Sequence, residues 1–232
     1  MSMPPENPVT TSVGLFAGLS PAGASLAARS LTVFAVPAGQ TVLAQVESSR
    51  DLFLLHSGAA RVVLYSPSGR RIGFREIGVG DMFGELSAID GRPRSASVEA
   101  VEACQVARLP QAAFRALLDT EPAFAQRLLN HLVATNRALT DRVYEFSSLG
   151  VNNRIHAELL RWVQAGNPGA SDSIIPVPTH EDIASRISTH REAVSRELSR
   201  LQRLGLIRRK GHTLEITDLA RLRRMVEDAT LD

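Results

Sequence analysis

The chain has 232 residues, enough for two domains of ordinary size, and at 44% hydrophobic and 22% charged it has the composition of a soluble globular protein. Its one cysteine, Cys104, excludes an internal disulfide and a thiolate-bound zinc or iron–sulfur centre, and no apolar run reaches the ~18–20 residues of a membrane span. A formal charge of +2 demands no polyanionic partner, and the start of the chain lacks a basic-then-apolar secretion signal, so the expectation is a cytoplasmic protein with no membrane partner.

Residues 1–12 are rich in Pro, Ser and Thr and are expected to be disordered. Residues 15–31 read as one or two short helices, with Ser20-Pro21 as a start. From 33 to 109 short apolar runs (33–36, 41–46, 52–55, 60–65, 72–77, 97–99 and 105–109) alternate with turn signals. The signals include Pro37-Ala38-Gly39, Ser57-Gly58, Pro67-Ser68-Gly69 and Asp90-Gly91. This pattern predicts a small antiparallel barrel or sandwich.

After residue 109 the period becomes helical. Helices are predicted over 111–119, 122–147 and 151–165, with a loop at 167–172. Along the long helix Phe124, Leu128, Leu132, Thr135, Leu139, Val143 and Phe146 form one stripe with spacings near three and four. Such a stripe predicts a coiled-coil-like seam, and roughly 37 Å of helix is more than a small barrel needs for cover. The alternative is a helix packed on its own domain. Short helices and a final hairpin are predicted from Thr179 onward.

Two segments carry chemistry. The first runs from Phe83 through Gly84-Glu85-Leu86-Ser87 to Arg94-Ser95-Ala96. Glycine lets the backbone turn and approach a ligand. Glu85 can accept hydrogen bonds from sugar hydroxyls, a helical turn from Leu86 would face its free N–H groups to an anion, and Arg94 offers a planar fork to phosphate. Ser95 adds a hydroxyl. Composition alone favours a barrel crossover with a surface Glu–Arg pair. The order and spacing, Gly-Glu-Leu, seven residues, then Arg-Ser-Ala between strands, resemble the phosphate-binding cassette of the cyclic nucleotide-binding domain. That family includes the bacterial cAMP receptor proteins and the regulatory subunits of cAMP-dependent protein kinase. The resemblance implies that Glu85 holds the ribose 2′-hydroxyl, that Arg94 and Ser95 meet the cyclic phosphate, and that Gly84, Leu86 and Ser87 complete the cradle. It also implies that Thr140 reaches the base from a partner subunit, while Leu139 stands where a second hydroxylated residue would be. The implied allosteric ligand is cAMP, with cGMP open because Ser95 could contact a guanine amino group.

The second segment is 179–201, with a basic tail to His212. Between residues 186 and 212 lie Arg186, Arg191, Arg196, Arg200, Arg203, Arg208, Arg209 and Lys210 against Glu192 and Glu197, whereas residues 1–150 hold equal numbers of acids and bases. Thr179 with Asp182, and Ser188 or Thr189 with Glu192, fit capping boxes, so two short helices form a helix-turn-helix. On the second helix Arg191, Glu192, Ser195 and Arg196 share one face within about 140° at ~100° per residue. Arginine suits guanine and glutamate can accept from cytosine N4. His180, Arg186 and Arg200 are candidates for phosphates. Residues 206–216 read as a wing with a basic turn.

Arg191, Glu192 and Arg196 resemble the Arg-Glu-x-x-x-Arg of the DNA-binding domain of the cAMP receptor protein family. The resemblance implies a homodimer on palindromic double-stranded DNA with TGTGA-like half-sites, with Thr179, His180, His190, Arg191, Glu192, Ser195, Arg196 and Arg200 at the interface. It also makes RNA polymerase a possible partner through the loop 164–173. The implied fold is α+β: a jelly-roll-like antiparallel β-roll with flanking helices over 13–120, a dimerisation helix over 121–149, and a winged helix-turn-helix over 150–232. An enzyme is not expected. His180-Glu181-Asp182-Ile183-Ala184 lacks the second histidine of a zincin, and His156-Ala157-Glu158 is followed by no Pro-Cys-x-x-Cys. Two other regulator classes stay open: a relative sensing haem, gas or another small molecule, and one whose nucleotide site is vestigial.

Overall fold

A computed structural model of the chain describes residues 14–65, 71–165, 173–174, 177–211 and 213–229. The segment 1–12, the turn Pro67-Ser68-Gly69, the loop 167–172 and His212 lie outside the described residues. The chain divides into two compact units, Met1–Thr135 and Asn136–Asp232.

In the first unit a 3-10 turn at Gly14–Phe16 precedes α1 (Pro21–Ser30). The Ser20 side chain caps α1 by accepting from the Gly23 N–H, and Pro21 opens it, as the sequence predicts. Eight strands follow: β1 (Thr32–Val36), β2 (Thr41–Leu43), β3 (Leu52–Ser57), β4 (Ala60–Tyr65), β5 (Arg71–Ile77), β6 (Met82–Phe83), β7 (Ser97–Ala100) and β8 (Cys104–Leu109). They form two antiparallel four-stranded sheets, ordered β1-β8-β3-β6 and β2-β7-β4-β5. The predicted strand 41–46 is shorter, because Val46 takes a left-handed φ of 62° and turns the chain away. β6, two residues long, is invisible to periodicity.

β3 shows why the sheet has two apolar faces. Leu52 and Leu54 pack with Phe114, Leu117 and Phe124 on the helical side, while Phe53 and Leu55 pack with Phe83, Val98 and Val106 between the sheets. A strand covered on both faces reads as a continuous apolar run. The helical layer is α1, α3 (Gln111–Thr120) and the start of α4 (Pro122–Ser148), and the short α2 (Glu85–Asp90) sits between β6 and β7.

The predicted seam on α4 needs correction. Phe124 and Leu128 are buried in the first unit's own core and Leu132 packs against it, so they cannot face a second chain. The exposed large apolar residues of α4 are Leu129, Val133, Leu139, Val143, Tyr144 and Phe146, so Leu139 and Val143 of the predicted stripe do stay open. Leu129, Val133 and Tyr144 lie with Asn136 and Thr140 on a second stripe centred about 100° around the helix, with Val143 between the two. Both stripes repeat at threes and fours, so spacing alone could not choose between them. Phe146 is also engaged locally, between the guanidinium groups of Arg142 and Arg154 at 5.5 and 5.3 Å from its ring.

In the second unit, α5 (Val151–Ala165), α6 (His180–Arg186), α7 (Arg191–Arg203) and α8 (Leu219–Asp228) enclose a core of Ile155, Leu159, Ile183, Val194, Leu198 and Leu201. A small sheet, β10 (Ile207–Lys210), β11 (Thr213–Ile216) and β9 (Ser173–Ile174), forms the wing. The hairpin is not final, since α8 follows it under an Asp218 cap. The α6 cap is Thr179, whose hydroxyl accepts from the Asp182 N–H, as predicted. The α7 cap is not Ser188 or Thr189: it is His190, and its side chain makes no capping bond. Ser188 instead supplies the left-handed residue of the turn, φ 55°, and the Thr189 N–H closes on the Ala184 carbonyl at 2.9 Å. No glycine marks that turn in the sequence.

Candidate ligand cradle and nucleic-acid interface

The first unit brings Gly84, Glu85 and Arg94 together, with Ser87 buried beside them. Gly84 has φ 78° and caps α2. A Cβ there would lie 2.6 Å from Arg94 Nη1 and 3.2 Å from the Asp51 carbonyl, so only glycine admits the guanidinium. Glu85 is 8% and Arg94 3% exposed.

A buried arginine needs acceptors, and the protein provides them. Arg94 Nη1 donates to the Gly84 carbonyl at 2.8 Å and Nη2 to the Asp51 carbonyl at 2.8 Å. Nε and Nη2 both donate to Ser49 Oγ, at 3.2 and 3.1 Å. The guanidinium also lies 5.4 Å from the Phe53 ring. Burial pulls its pKa below the usual value, and the carboxylates of Glu47, Asp51 and Glu85 pull it back up. Arg94 therefore anchors the 46–51 segment as well as offering charge. Its backbone does the same, accepting from Val46 and donating to Glu47. Sequence reasoning missed Ser49 and Asp51, and no spacing rule links them to residue 94.

Other predicted cradle residues are placed differently. Leu86 is 48% exposed and Ser95 is exposed. Opposite Glu85, α4 contributes His131, whose buried Nε2 has no hydrogen-bond partner among the described residues. Burial lowers the His131 pKa, opposed by Glu85 and Asp81 and assisted by Arg75. Arg75 ties the helix to the sheet edge, donating to the Met82 carbonyl and to Thr135 Oγ1 at 3.1 and 3.3 Å. Thr140 belongs to the second unit, is exposed, and donates its hydroxyl to the Asn136 carbonyl of its own helix.

In the second unit, Arg191, Glu192, Arg196, Ser199, Arg200 and Arg203 are exposed on α7, Ser195 is half-buried, and His190 is exposed at its start. An open cleft of about 620 Å³ between α7 and the first residues of α5 is lined by Asn152, Ser195, Arg196, Ser199, Arg200 and Arg203. Thr179 spends its hydroxyl on Asp182. Burial, then Arg191 and Arg209, lower the His180 pKa, so helix start, wing and imidazole share one neighbourhood. In the wing, Arg208 and Lys210 pair with Glu215. Arg186, a sequence candidate for phosphate, turns inward instead. It donates to Glu158 at 2.6 Å and lies 5.1 Å from the Trp162 ring.

Comparison with known proteins finds a family model over part of each unit. The cyclic nucleotide-binding domain model matches residues 33–121, and the Crp-like helix-turn-helix model matches residues 153–225. The chain is 30% identical over 208 residues to the cyclic AMP receptor protein of Thermus thermophilus, covering 90% of this chain and 94% of that one. It is 28% identical to the CRP-like cAMP-activated global transcriptional regulator of Mycobacterium tuberculosis, covering 91% and 95%. Its fold matches a crystal structure of a transcriptional regulator of the crp/fnr family from Eubacterium rectale with a TM-score of 0.76 at 19% identity, covering 94% and 99% of the two chains.

Proposed function

The chain belongs to the cAMP receptor protein family of cyclic nucleotide-binding, DNA-binding transcription regulators, and from that premise we propose a homodimeric switch driven by cAMP, acting on palindromic operators with TGTGA-like half-sites. The observation that carries the reading is the pairing of a buried arginine with a buried glutamate around Gly84, in the first unit, with an exposed Arg-Glu-x-x-x-Arg face in the second. Arg94 and Ser95 take the cyclic phosphate, Glu85 the ribose, and backbone groups of Gly84, Leu86 and Ser87 line the approach. Arg191, Glu192, Ser195 and Arg196 read base edges, while Thr179, His180, His190 and Arg200 position the backbone. The names of the two relatives support cAMP; cGMP is the control.

The exposed stripe on α4 supports the homodimer. Leu129, Val133, Val143 and Tyr144 repeat at coiled-coil spacing, and Asn136 supplies the polar position that fixes register in such seams. Thr140 lies on this stripe, where a partner's ligand would meet it. Val143, 65% exposed, costs its own fold little when changed. Val143→Glu is expected to weaken the dimer at least about tenfold, because two unpaired carboxylates would be buried in the seam. Sedimentation against protein concentration reads the change, and an unaltered dimer refutes the seam.

The decisive experiment is an operator titration with and without cAMP, and separately with cGMP, paired with nucleotide calorimetry with and without operator. Linkage requires operator to tighten nucleotide binding by the same factor by which nucleotide tightens operator binding, a coupling of about 1–3 kcal/mol. One observation favours a second reading, a regulator that binds DNA without nucleotide: Ser49 Oγ already takes the Nε–Nη2 edge that would grip phosphate. Calorimetry giving no heat with either nucleotide, from protein that still binds operator, selects that reading. A Soret band in the purified protein would select a haem effector.

A further inference from the structure

Behind the exposed face of α7 lie two buried titratable side chains. His156 on α5 is 1% exposed and Glu197 on α7 is 3% exposed. His156 Nε2 stands 2.7 Å from Glu197 Oε1. The other ring nitrogen, Nδ1, is buried and has no hydrogen-bond partner among the described residues. These facts select one tautomer. The proton sits on Nε2 and is donated to the carboxylate, and Nδ1 keeps its lone pair, since a proton there would be buried against no acceptor. The surroundings agree: burial lowers the His156 pKa, the Glu197 carboxylate opposes this, and Arg200 reinforces it.

Glu197 passes the constraint outward. Its Oε2 and Oε1 accept from Arg200 Nε at 3.0 and 3.2 Å. Both bonds use Nε and spend neither terminal amino group, and the Arg200 side chain is 44% exposed where it lines the open cleft with Arg196 and Arg203. An arginine on a free stem loses rotamer freedom on meeting an anion, and one held at Nε has lost most of it beforehand.

We propose that His156 is a positioning residue for DNA binding: through Glu197 it holds Arg200 so that the terminal amino groups meet a backbone phosphate. The proposal rests on the reading of α7 as the DNA-facing helix and adds a residue from a helix that touches no DNA in that reading. A merely structural His156 would change stability and leave the ionic character of DNA binding alone.

The test uses the full-length protein with saturating cAMP and two duplexes of equal length, one with two TGTGA half-sites and one scrambled. Affinity is measured across a salt series for wild type, His156→Leu, His156→Gln, Arg200→Ala and the double variant His156→Leu/Arg200→Ala, with unfolding curves for each. His156→Leu is expected to weaken both duplexes about five- to tenfold and to lower the slope of log affinity on log salt by about one, as Arg200→Ala does. The double variant is expected to match Arg200→Ala alone, and His156→Gln, which keeps a donor, to stay within about twofold of wild type. Should His156→Leu not fold, Glu197→Gln takes its place with the same expected loss of slope. Wild-type affinity and slope in His156→Leu, or losses that multiply in the double variant, overturn the proposal. Wild-type protein that binds neither duplex removes the regulator reading itself, and the inference with it.

Discussion

Arg94→Leu is expected to abolish nucleotide binding and also to loosen the first unit. The two effects share one cause, the depth of the guanidinium. Charge-assisted hydrogen bonds to phosphate are worth about 1.5–3 kcal/mol, so affinity falls by one to two decades or more, below detection by calorimetry for a ligand bound at micromolar strength. The same leucine leaves the half-buried carbonyls of Gly84 and Asp51 without their donors, at 2.8 Å each in the native protein. That costs about 1–3 kcal/mol for each group that finds no water. Unfolding curves should show the loss in Met1–Thr135, with operator binding by the second unit surviving in its nucleotide-independent form. Arg94→Lys separates charge from geometry: a lysine keeps the positive charge but cannot bond Gly84, Asp51 and Ser49 together. Undiminished cAMP binding in Arg94→Leu would remove the anion role from this residue.

The second large effect belongs to Glu158. Its carboxylate is wholly buried and receives three arginines: Arg186 Nη1 at 2.6 Å, Arg161 Nη2 at 2.7 Å and Arg142 Nη1 at 3.0 Å. Arg142 also donates to the Arg186 carbonyl, and Arg161 to Glu145. The cluster thus joins the end of α4, α5 and the first helix of the helix-turn-helix. Glu158→Leu leaves three guanidinium groups around an apolar side chain, and breaking a buried pair in this way costs about 3–5 kcal/mol. The loss should appear as a lower urea midpoint for Asn136–Asp232 and as weaker operator binding, since Arg186 no longer fixes α6. A midpoint within error of wild type would show that the cluster contributes no stability.

The pH dependence of this cluster has a definite sign. Burial alone pushes the Glu158 carboxyl up, and the charges of Arg161, Arg186 and Arg142 more than reverse it, so its folded pKa lies below the usual glutamate value. A depressed folded pKa stabilises the native state above the unfolded pKa, and that contribution fades as pH falls through the folded value. Acid should therefore destabilise the second unit in a window below the ordinary glutamate range, and Glu158→Leu should lose that part of the acid sensitivity.

Much of the fold could be read from local rules. Ser20-Pro21 and Thr179 with Asp182 are caps whose chemistry lies within three residues, and both form as expected. Apolar runs near 33, 52, 60, 72, 97 and 105 became strands because alternating or continuous hydrophobicity reports how many faces of a strand are covered. The α7 cap was misplaced because its turn uses Ser188 in a left-handed conformation, with no glycine to mark it. The cassette was legible through Gly84, Glu85 and Arg94, since each has a chemical reason to be present. Their partners Ser49 and Asp51 were not, because a long-range acceptor leaves no periodic trace.

The sequence by itself determined most element types and the residue kinds in each segment: a carboxylate and a guanidinium among strands, and a basic helix after a capped one. Tertiary structure decided how each charge is used. It turned Arg186 inward to Glu158, sank Arg94 beneath Gly84, hid Phe124 and Leu128, and left Leu129, Val133 and Val143 in solvent. The physical reason is that hydrogen bonding and capping in helices and strands are set by neighbours in the chain. The cost of burying an ion or an apolar side chain depends on which distant groups surround it.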